Sequence, residues 1–388
     1  MNKCSICNSE ELDAILELKK YPAYIVPVPK SISLEVVKAD ISLYCCRGCG
    51  HLQLLNPDKE LQRLIYEEYY SYYVVDSSET FSPHYRKPFV DFFEDLKTKG
   101  FLENKKTLLE IGCSSGQQVE FFKKYAGDYL GIDPSTKIDV AIKEFPNEKF
   151  IKGYFPQSIP DLNFDLIVSQ FNLEHILDVQ AFVSKIHFAL NPNGLFILQV
   201  PDISDFVRNK MPNFLAHEHI QYFTKNTLSK LLESQGFENI LWGEQSPSLI
   251  VAAQKKNKPA TYNFKNQIEN STEANKQIVF NFNNLPNNLK GNIVFYGIGP
   301  QLYWLLSSTN NINYVVCDDN PNYEAQGLPG YGKEILKPSK DIFTEYNHVV
   351  LSLNKFYHQT VLEKLKNYHL PMQVYLIDNQ GNWTIEKI

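Results

Sequence analysis

Four short apolar runs alternate with helical segments between residues 76 and 255, and this rhythm restricts the chain to few folds. The runs are Thr107–Ile111, Asp128–Ile132, Asp165–Ser169 and Leu195–Val200. Continuous apolar runs of this length read as strands buried on both faces of a sheet. Helical segments such as Gln117–Ala126 and Ala181–Leu190 separate them, so the order predicts a parallel, doubly wound α/β sheet. The alternation resumes later, with apolar runs Asn292–Tyr296, Asn313–Cys317, His348–Ser352 and Gln373–Ile377 and a helix over Tyr357–Tyr368. Between the two series, Gln254–Leu289 is rich in Asn, Lys and Gln and reads as a linker carrying a helix near Glu273–Asn281. At 388 residues the chain is too long for one hydrophobic core. The expected division is a Cys-bearing unit over 1–75, a central Rossmann-like domain over 76–255, and a smaller Rossmann-like domain over 256–388.

A net charge of −6 gives no basic surface for nucleic acid. No stretch has the ~20 apolar residues of a membrane span. The first residues lack the apolar run of a signal peptide. The expectation is a cytoplasmic protein whose partner is a small molecule, with neither nucleic acid nor membrane as partner; the sequence carries no signal for oligomeric state.

The first run leads into a turn, Glu110-Ile111-Gly112-Cys113-Ser114-Ser115-Gly116. Gly112 and Gly116 allow a tight bend and close approach of a ligand. A helix opening near Gln117 would offer free N–H groups there. Glu110 just before the turn would repel a pyrophosphate, and it suits a cofactor with a cationic amino group, such as the methionyl part of S-adenosylmethionine. The second run ends in Asp133, a carboxylate placed to accept ribose hydroxyls.

Seven cysteines in a reducing compartment do not read as a disulfide framework. Cys4-Ser5-Ile6-Cys7 and Cys46-Arg47-Gly48-Cys49 are two CxxC pairs, a four-thiolate set suited to tetrahedral Zn²⁺ in a structural role. Cys45 lies next to Cys46 and competes for the same place, although spacing favours Cys46. Further on, His217-Glu218-His219 follows the last run of the central series, on the side where open α/β sheets hold ligands. An imidazole beside a carboxylate fits a general base near neutral pH. Tyr66, Tyr69, Tyr70, Tyr72 and Tyr73 form a dense aromatic group from which a hydroxyl could polarise a carbonyl.

LEIGCSSG and LGIDPS resemble the first two motifs of class I S-adenosylmethionine methyltransferases. FDLIVS with the following LEHI, and LNPNGL, resemble the regions of their fourth and fifth strands. The resemblance implies cofactor contacts from Glu110, Gly112, Cys113, Gly116, Asp133, Pro134 and Asn172. Along nearly the whole chain the order is similar to the sugar C-methyltransferases, which act on nucleotide-linked keto-deoxysugars. CSIC…CRGCGHLQL looks like their zinc domain, AHEHIQYFT like their active-site stretch, and Cys317-Asp318-Asp319-Asn320-Pro321 with Gly327-Leu328-Pro329-Gly330 like segments of their C-terminal domain. Two departures stand out: Ala216 replaces a common Tyr, and Gly297-Ile298-Gly299-Pro300-Gln301 replaces a Gly-Ala-Lys-Gly loop.

The resemblance implies His219 as the base that removes the C3 proton of a 4-keto sugar. Glu218 would orient it, and His175 with Tyr70 or Tyr72 would stabilise the enolate. Zinc would be held by Cys4, Cys7, Cys46 and Cys49, and the C-terminal domain would help bind the nucleotide. An O- or N-methyltransferase, a non-catalytic nucleotide-sugar-binding protein, and a dinucleotide reductase using the Gly297 loop are the alternatives.

Overall fold

The central sheet of the computed structural model has seven strands in the order Phe237–Trp242, Ser248–Lys255, Leu190–Pro201, Phe164–Gln170, Thr107–Ile111, Asp128–Asp133 and Lys149–Lys152. The structure describes residues 3–55, 57–72, 83–159, 163–204, 215–243, 248–256, 291–309, 312–378 and 382–388. The last five strands of this order run parallel; four are the apolar runs of the sequence, and the fifth, Lys149–Lys152, is one the sequence reading does not contain. Phe237–Trp242 and Ser248–Lys255 add an antiparallel hairpin at the other edge, which the sequence reading does not contain. The helix expected over Gln117–Ala126 is a single turn, Val119–Phe122, followed by bonded turns. Three aromatic residues in ten positions there favour burial over helix continuation: Phe121, Phe122 and Tyr125 pack against Phe89 and Phe93. The helix expected over Ala181–Leu190 is Val179–Ala189, capped by the Asp178 side chain accepting from Ala181 N at 3.0 Å. The linker helix expected near Glu273–Asn281 lies outside the described residues.

The C-terminal sheet has six strands in the order Ile335–Leu336, Asn313–Cys317, Asn292–Tyr296, His348–Leu351, Gln373–Ile377 and Trp383–Lys387. All neighbours are parallel except the last pair. This is the second Rossmann-like sheet read from the sequence, closed by an unforeseen antiparallel edge.

The N-terminal sheet is not self-contained. Its order is Leu12–Pro22, Lys38–Cys46, Leu52–Leu54 and Gln221–Tyr222, so its fourth strand comes from more than 160 residues downstream, directly after His217-Glu218-His219. Its two faces enter different cores. Cys4, Ile6, Cys46 and Cys49 pack with Leu109, Phe196 and Leu198 of the central sheet. Tyr21, Ile41, Leu43 and Cys45 pack with Leu302, Tyr303 and Trp304 of the C-terminal helix Pro300–Ser308. Strand alternation thus turns Cys46 toward the other cysteines and Cys45 away from them, because neighbouring side chains in a strand point to opposite faces.

Tyr21 ties the three units together: its hydroxyl donates to the Leu215 carbonyl at 2.8 Å and faces the Pro300 carbonyl at 3.4 Å. Trp304, 1% exposed, fills the contact between the N-terminal sheet and the C-terminal domain. Trp304→Ala is expected to remove about 3–5 kcal/mol of stability by leaving a cavity. Chemical denaturation should show the N-terminal and C-terminal units losing structure at lower denaturant together.

Candidate active site

The glycine corner between Thr107–Ile111 and Val119–Phe122 carries positive backbone dihedrals at Gly112 (φ +84°), Ser114 (φ +47°) and Gly116 (φ +78°). A side chain at Gly116 would also press on Ala141 Cβ at 3.0 Å and the Phe145 ring at 3.1 Å, so only glycine suits this bend. Asp133, at the end of the neighbouring strand, locks the corner. One carboxylate oxygen accepts from Ser114 N at 2.9 Å, the other from Ser135 N at 2.8 Å and Ser135 Oγ at 2.6 Å. Cys113 is buried beside the corner, and Pro134 is exposed next to Asp133.

Glu110 is buried rather than open to solvent, and the Tyr129 hydroxyl donates to it. Burial pushes its carboxyl up to about 8, the Tyr129 bond opposes this, and Asp133 adds to it. A cation arriving here would meet a carboxyl that gains stability by ionising against it. That chemistry, together with an open glycine bend and a locked strand-end carboxylate, fits an S-adenosyl cofactor. Asn172 connects this corner to the next loop: its Cβ lies 3.6 Å from where a Gly112 Cβ would stand, and its Nδ2 donates to Ser169 Oγ at 3.3 Å.

Three residues beyond Asn172, His175 meets His219, with ring centroids 5.1 Å apart. The carboxylate grouped with these two imidazoles is Glu174: one ligand atom from each of Glu174, His175 and His219 lies within 4.8 Å of the others. Glu218 turns its side chain toward Tyr70 and offers its backbone carbonyl to His175 Nδ1 at 2.9 Å. Tyr66 stands edge-on to His175 at 6.1 Å and packs on Tyr70 at 5.3 Å. The structure therefore brings Glu218, His219, His175 and Tyr70 together. Tyr72 instead packs at the edge of the cluster formed by Tyr24, Ile65 and Tyr69, and Tyr73 lies outside the described residues. His217 is drawn into the core, facing the Tyr21 carbonyl at 3.3 Å.

Burial dominates the electrostatics here. It raises Glu174 to about 8, helped by Glu218, and raises Glu218 to about 7 against the Tyr70 hydrogen bond. It lowers His175 to about 3, helped by His219 and opposed by the Glu218 and Phe171 carbonyls. Tyr66 and Tyr70 stay protonated far above neutral pH for the same reason.

The four cysteines of the two CxxC pairs converge. Their sulfurs all lie within 4.8 Å of one another, with Cys4–Cys49 and Cys7–Cys46 each at 3.5 Å. A zinc tetrathiolate with ~2.3 Å bonds has sulfurs about 3.8 Å apart. Both pairs adopt the same knuckle. Asn8 N donates to the Cys4 carbonyl at 3.0 Å and Gly50 N to the Cys46 carbonyl at 2.9 Å, and Asn8 and Gly50 both take positive φ. Hydrogen bonding from Cys4 drives the Cys46 thiol down. The donor set and geometry fit Zn²⁺.

Gln221 joins these knuckles to the active-site loops. Its Oε1 accepts from Ser5 Oγ at 2.6 Å and from His51 Nε2 at 2.9 Å, and its Nε2 donates to the Ile176 and Leu177 carbonyls at 3.0 and 3.3 Å. Ile220 N donates to the Glu174 carbonyl at 2.8 Å beside it. The sequence reading missed Glu174, His51 and Gln221 as site residues. For His51 a signal existed, since it follows Cys49 by two positions; for the other two, only the pairing of distant segments reveals the role.

Residues 81–241 match the family model described as a methyltransferase domain. Over 134 residues the chain is 24% identical to the C-methyltransferase NovU of Streptomyces niveus, covering 33% of this chain and 32% of that protein. Over 122 residues it is 26% identical to the ubiquinone biosynthesis O-methyltransferase of Rhodopseudomonas palustris, covering 28% of this chain and 48% of that one. The chain thus spans 32% to 48% of the length of these relatives. Among solved structures, the amino pentose methyltransferase CalS10 of Micromonospora echinaspora aligns over 44% of this chain and 92% of its own, at 14% identity and a TM-score of 0.37. The PH0226 protein of Pyrococcus horikoshii aligns over 47% and 100%, at 17% and 0.38. The matched segment is a class I S-adenosylmethionine-dependent methyltransferase domain. Among the described residues, no helix is long and apolar enough to cross a membrane.

The buried carboxyls give the free protein a distinctive pH response. From about pH 7.5, a unit above the ordinary histidine value, the buried imidazoles are neutral whether the chain is folded or not. Glu110 at about 8, Glu174 at about 8 and Glu218 at about 7 then still hold protons that the unfolded chain has released. Rising pH therefore favours unfolding. The melting temperature is expected to fall between about pH 7.5 and 8, and Glu110→Gln should flatten the slope in differential scanning calorimetry.

Proposed function

We propose that the chain is an S-adenosylmethionine-dependent C-methyltransferase acting on a nucleotide-linked keto-deoxysugar. The observation that carries this reading is the half-buried His175–His219–Tyr70 group, whose His175 stands three residues beyond Asn172 and so close to the glycine corner. When bound, S-adenosylmethionine supplies an electrophilic methyl group on a sulfonium. Glu110 holds its cationic end, Asp133 its ribose, and Gly112, Cys113, Gly116, Pro134 and Asn172 shape the pocket.

His219 removes the proton on the carbon next to the acceptor's keto group. His175 is kept neutral by burial and, with its Nδ1 on the Glu218 carbonyl, does not compete as a cation. The Tyr70 hydroxyl, protonated and beside Glu218, is assigned as the donor to the developing enolate oxygen, giving up its bond to the Glu218 carboxyl when the acceptor binds. Exclusion of water and placement of the two reactants supply much of the remaining rate. NovU is itself a C-methyltransferase, which is in keeping with a carbon acceptor, while the ubiquinone relative is an O-methyltransferase.

The C-terminal domain is assigned the nucleotide. Its Gly297 corner repeats the lock of the cofactor corner: Asp318 accepts from Ile298 N at 2.9 Å and from Asn320 N at 2.8 Å. Cys4, Cys7, Cys46 and Cys49 hold a structural Zn²⁺ with no position left for substrate.

The test is mass spectrometry of products from a nucleoside-diphosphate 4-keto-deoxysugar and methyl-labelled cofactor. The wild-type chain should add one labelled methyl to carbon 3 and exchange that carbon's hydrogen with deuterated solvent. His219→Asn should lower turnover by about 10²–10⁴-fold, with S-adenosylhomocysteine affinity unchanged by calorimetry. Label on oxygen without hydrogen exchange would assign O-methyl transfer instead, and no turnover at all would reject the enzyme reading.

A further inference from the structure

We propose that Glu174, His175 and His219 form a second metal site, which takes a divalent transition-metal ion such as Zn²⁺, Co²⁺ or Ni²⁺ inside the acceptor pocket. The proposal rests on reading that pocket as the acceptor site. The three ligand atoms lie within 4.8 Å of one another, with Glu174 Oε1 3.9 Å from His175 Nε2. Two imidazoles and one carboxylate are a borderline donor set that suits such ions.

The surroundings prepare the ligands. The Glu218 carbonyl at 2.9 Å can only accept, and in the neutral tautomer that meets it His175 Nδ1 carries the proton and Nε2 the lone pair. This is the outer hydrogen bond that metal-bound histidines generally make. The backbone bond from Ile220 N to the Glu174 carbonyl clamps the segment carrying His219 against the segment carrying the other two ligands. Glu174 is 2% exposed, and its Oε2 has no hydrogen-bond partner among the described residues. A buried carboxylate oxygen left in this state is costly, and a cation removes the cost. The methyl-transfer scheme gives Glu174 no task.

The site is chemically separate from the cysteine knuckles, offering nitrogen and oxygen where they offer four sulfurs. Three protein ligands leave at least one position for water or an acceptor oxygen. An ion held here occupies the lone pair that His219 needs to take a proton. Ion binding and proton abstraction therefore exclude each other, and the ion acts as an inhibitor of methyl transfer.

The experiment titrates Co²⁺ into the full chain with its knuckles loaded with Zn²⁺. Expected is one further equivalent, seen as weak visible bands without the near-ultraviolet charge transfer that thiolate-bound cobalt gives. Glu174→Gln and His175→Ala should each weaken this binding at least about tenfold. Unchanged S-adenosylhomocysteine affinity shows that both variants are folded. Methyl transfer should fall in step with cobalt occupancy and return on chelation. No extra equivalent, a thiolate-type spectrum, or binding indifferent to both variants would overturn the site, and binding that leaves transfer unchanged or raises it would overturn the exclusion. A chain that binds cobalt as expected but methylates no keto sugar would leave the site standing and refute the acceptor reading alone.

Discussion

The side chain of Gln221 is the joint on which the arrangement of the site depends. One amide spends its acceptor on Ser5 and His51, beside the cysteine knuckles, and its donors on the Ile176 and Leu177 carbonyls, beside His175. Gln221 is 2% exposed, so these bonds form away from competing water. The same residue is a strand partner of Gln53 in the N-terminal sheet. The segment bearing His219 is therefore part of the cysteine-bearing sheet and not a free loop of the central domain. On the proposed reading, a metal at the knuckles would bear on chemistry remote from it: the knuckles fix Ser5 and His51, and these fix the strand that follows the proposed base.

A second constraint is electrostatic. The site gathers Glu110, Glu174 and Glu218 in surroundings dry enough to raise each well above the ordinary carboxylate range. Such carboxyls are stable when protonated or matched by a cation. The glycine corner has one such acid and the acceptor pocket has two, with neutral His175 between them. A sulfonium nucleoside would answer the first demand. The pocket also keeps imidazole uncharged, the form a base requires.

Much of this was legible in the sequence because it is local. Thr107–Ile111, Asn292–Tyr296, Asn313–Cys317 and Gln373–Ile377 stand at the bounds their apolar runs marked. Positive φ fell at Gly112 and Gly116, where the turn needed it. The two CxxC pairs converged, and strand alternation chose Cys46 over Cys45. What was not legible depends on contacts between distant segments. Nothing near residue 221 announces a strand that pairs with Leu52–Leu54, and two residues are too few for a periodic signal. Glu174 reads as a surface acid beside Leu173 until the fold buries it against two imidazoles. Glu218 seemed the natural partner of His219 by adjacency, yet its side chain turns to Tyr70. The helix after Gly116 stopped after one turn because Phe121, Phe122 and Tyr125 were needed by the core.

The most direct measurement is a crystal structure of the full chain with S-adenosylhomocysteine. The ligand's amino group is expected toward Glu110, its ribose hydroxyls on Asp133, and its sulfur facing the pocket of His175 and His219. A ligand lodged at the Gly297 corner instead, or a central glycine corner left empty at saturating concentration, would contradict the placement of the cofactor and the chemistry built on it.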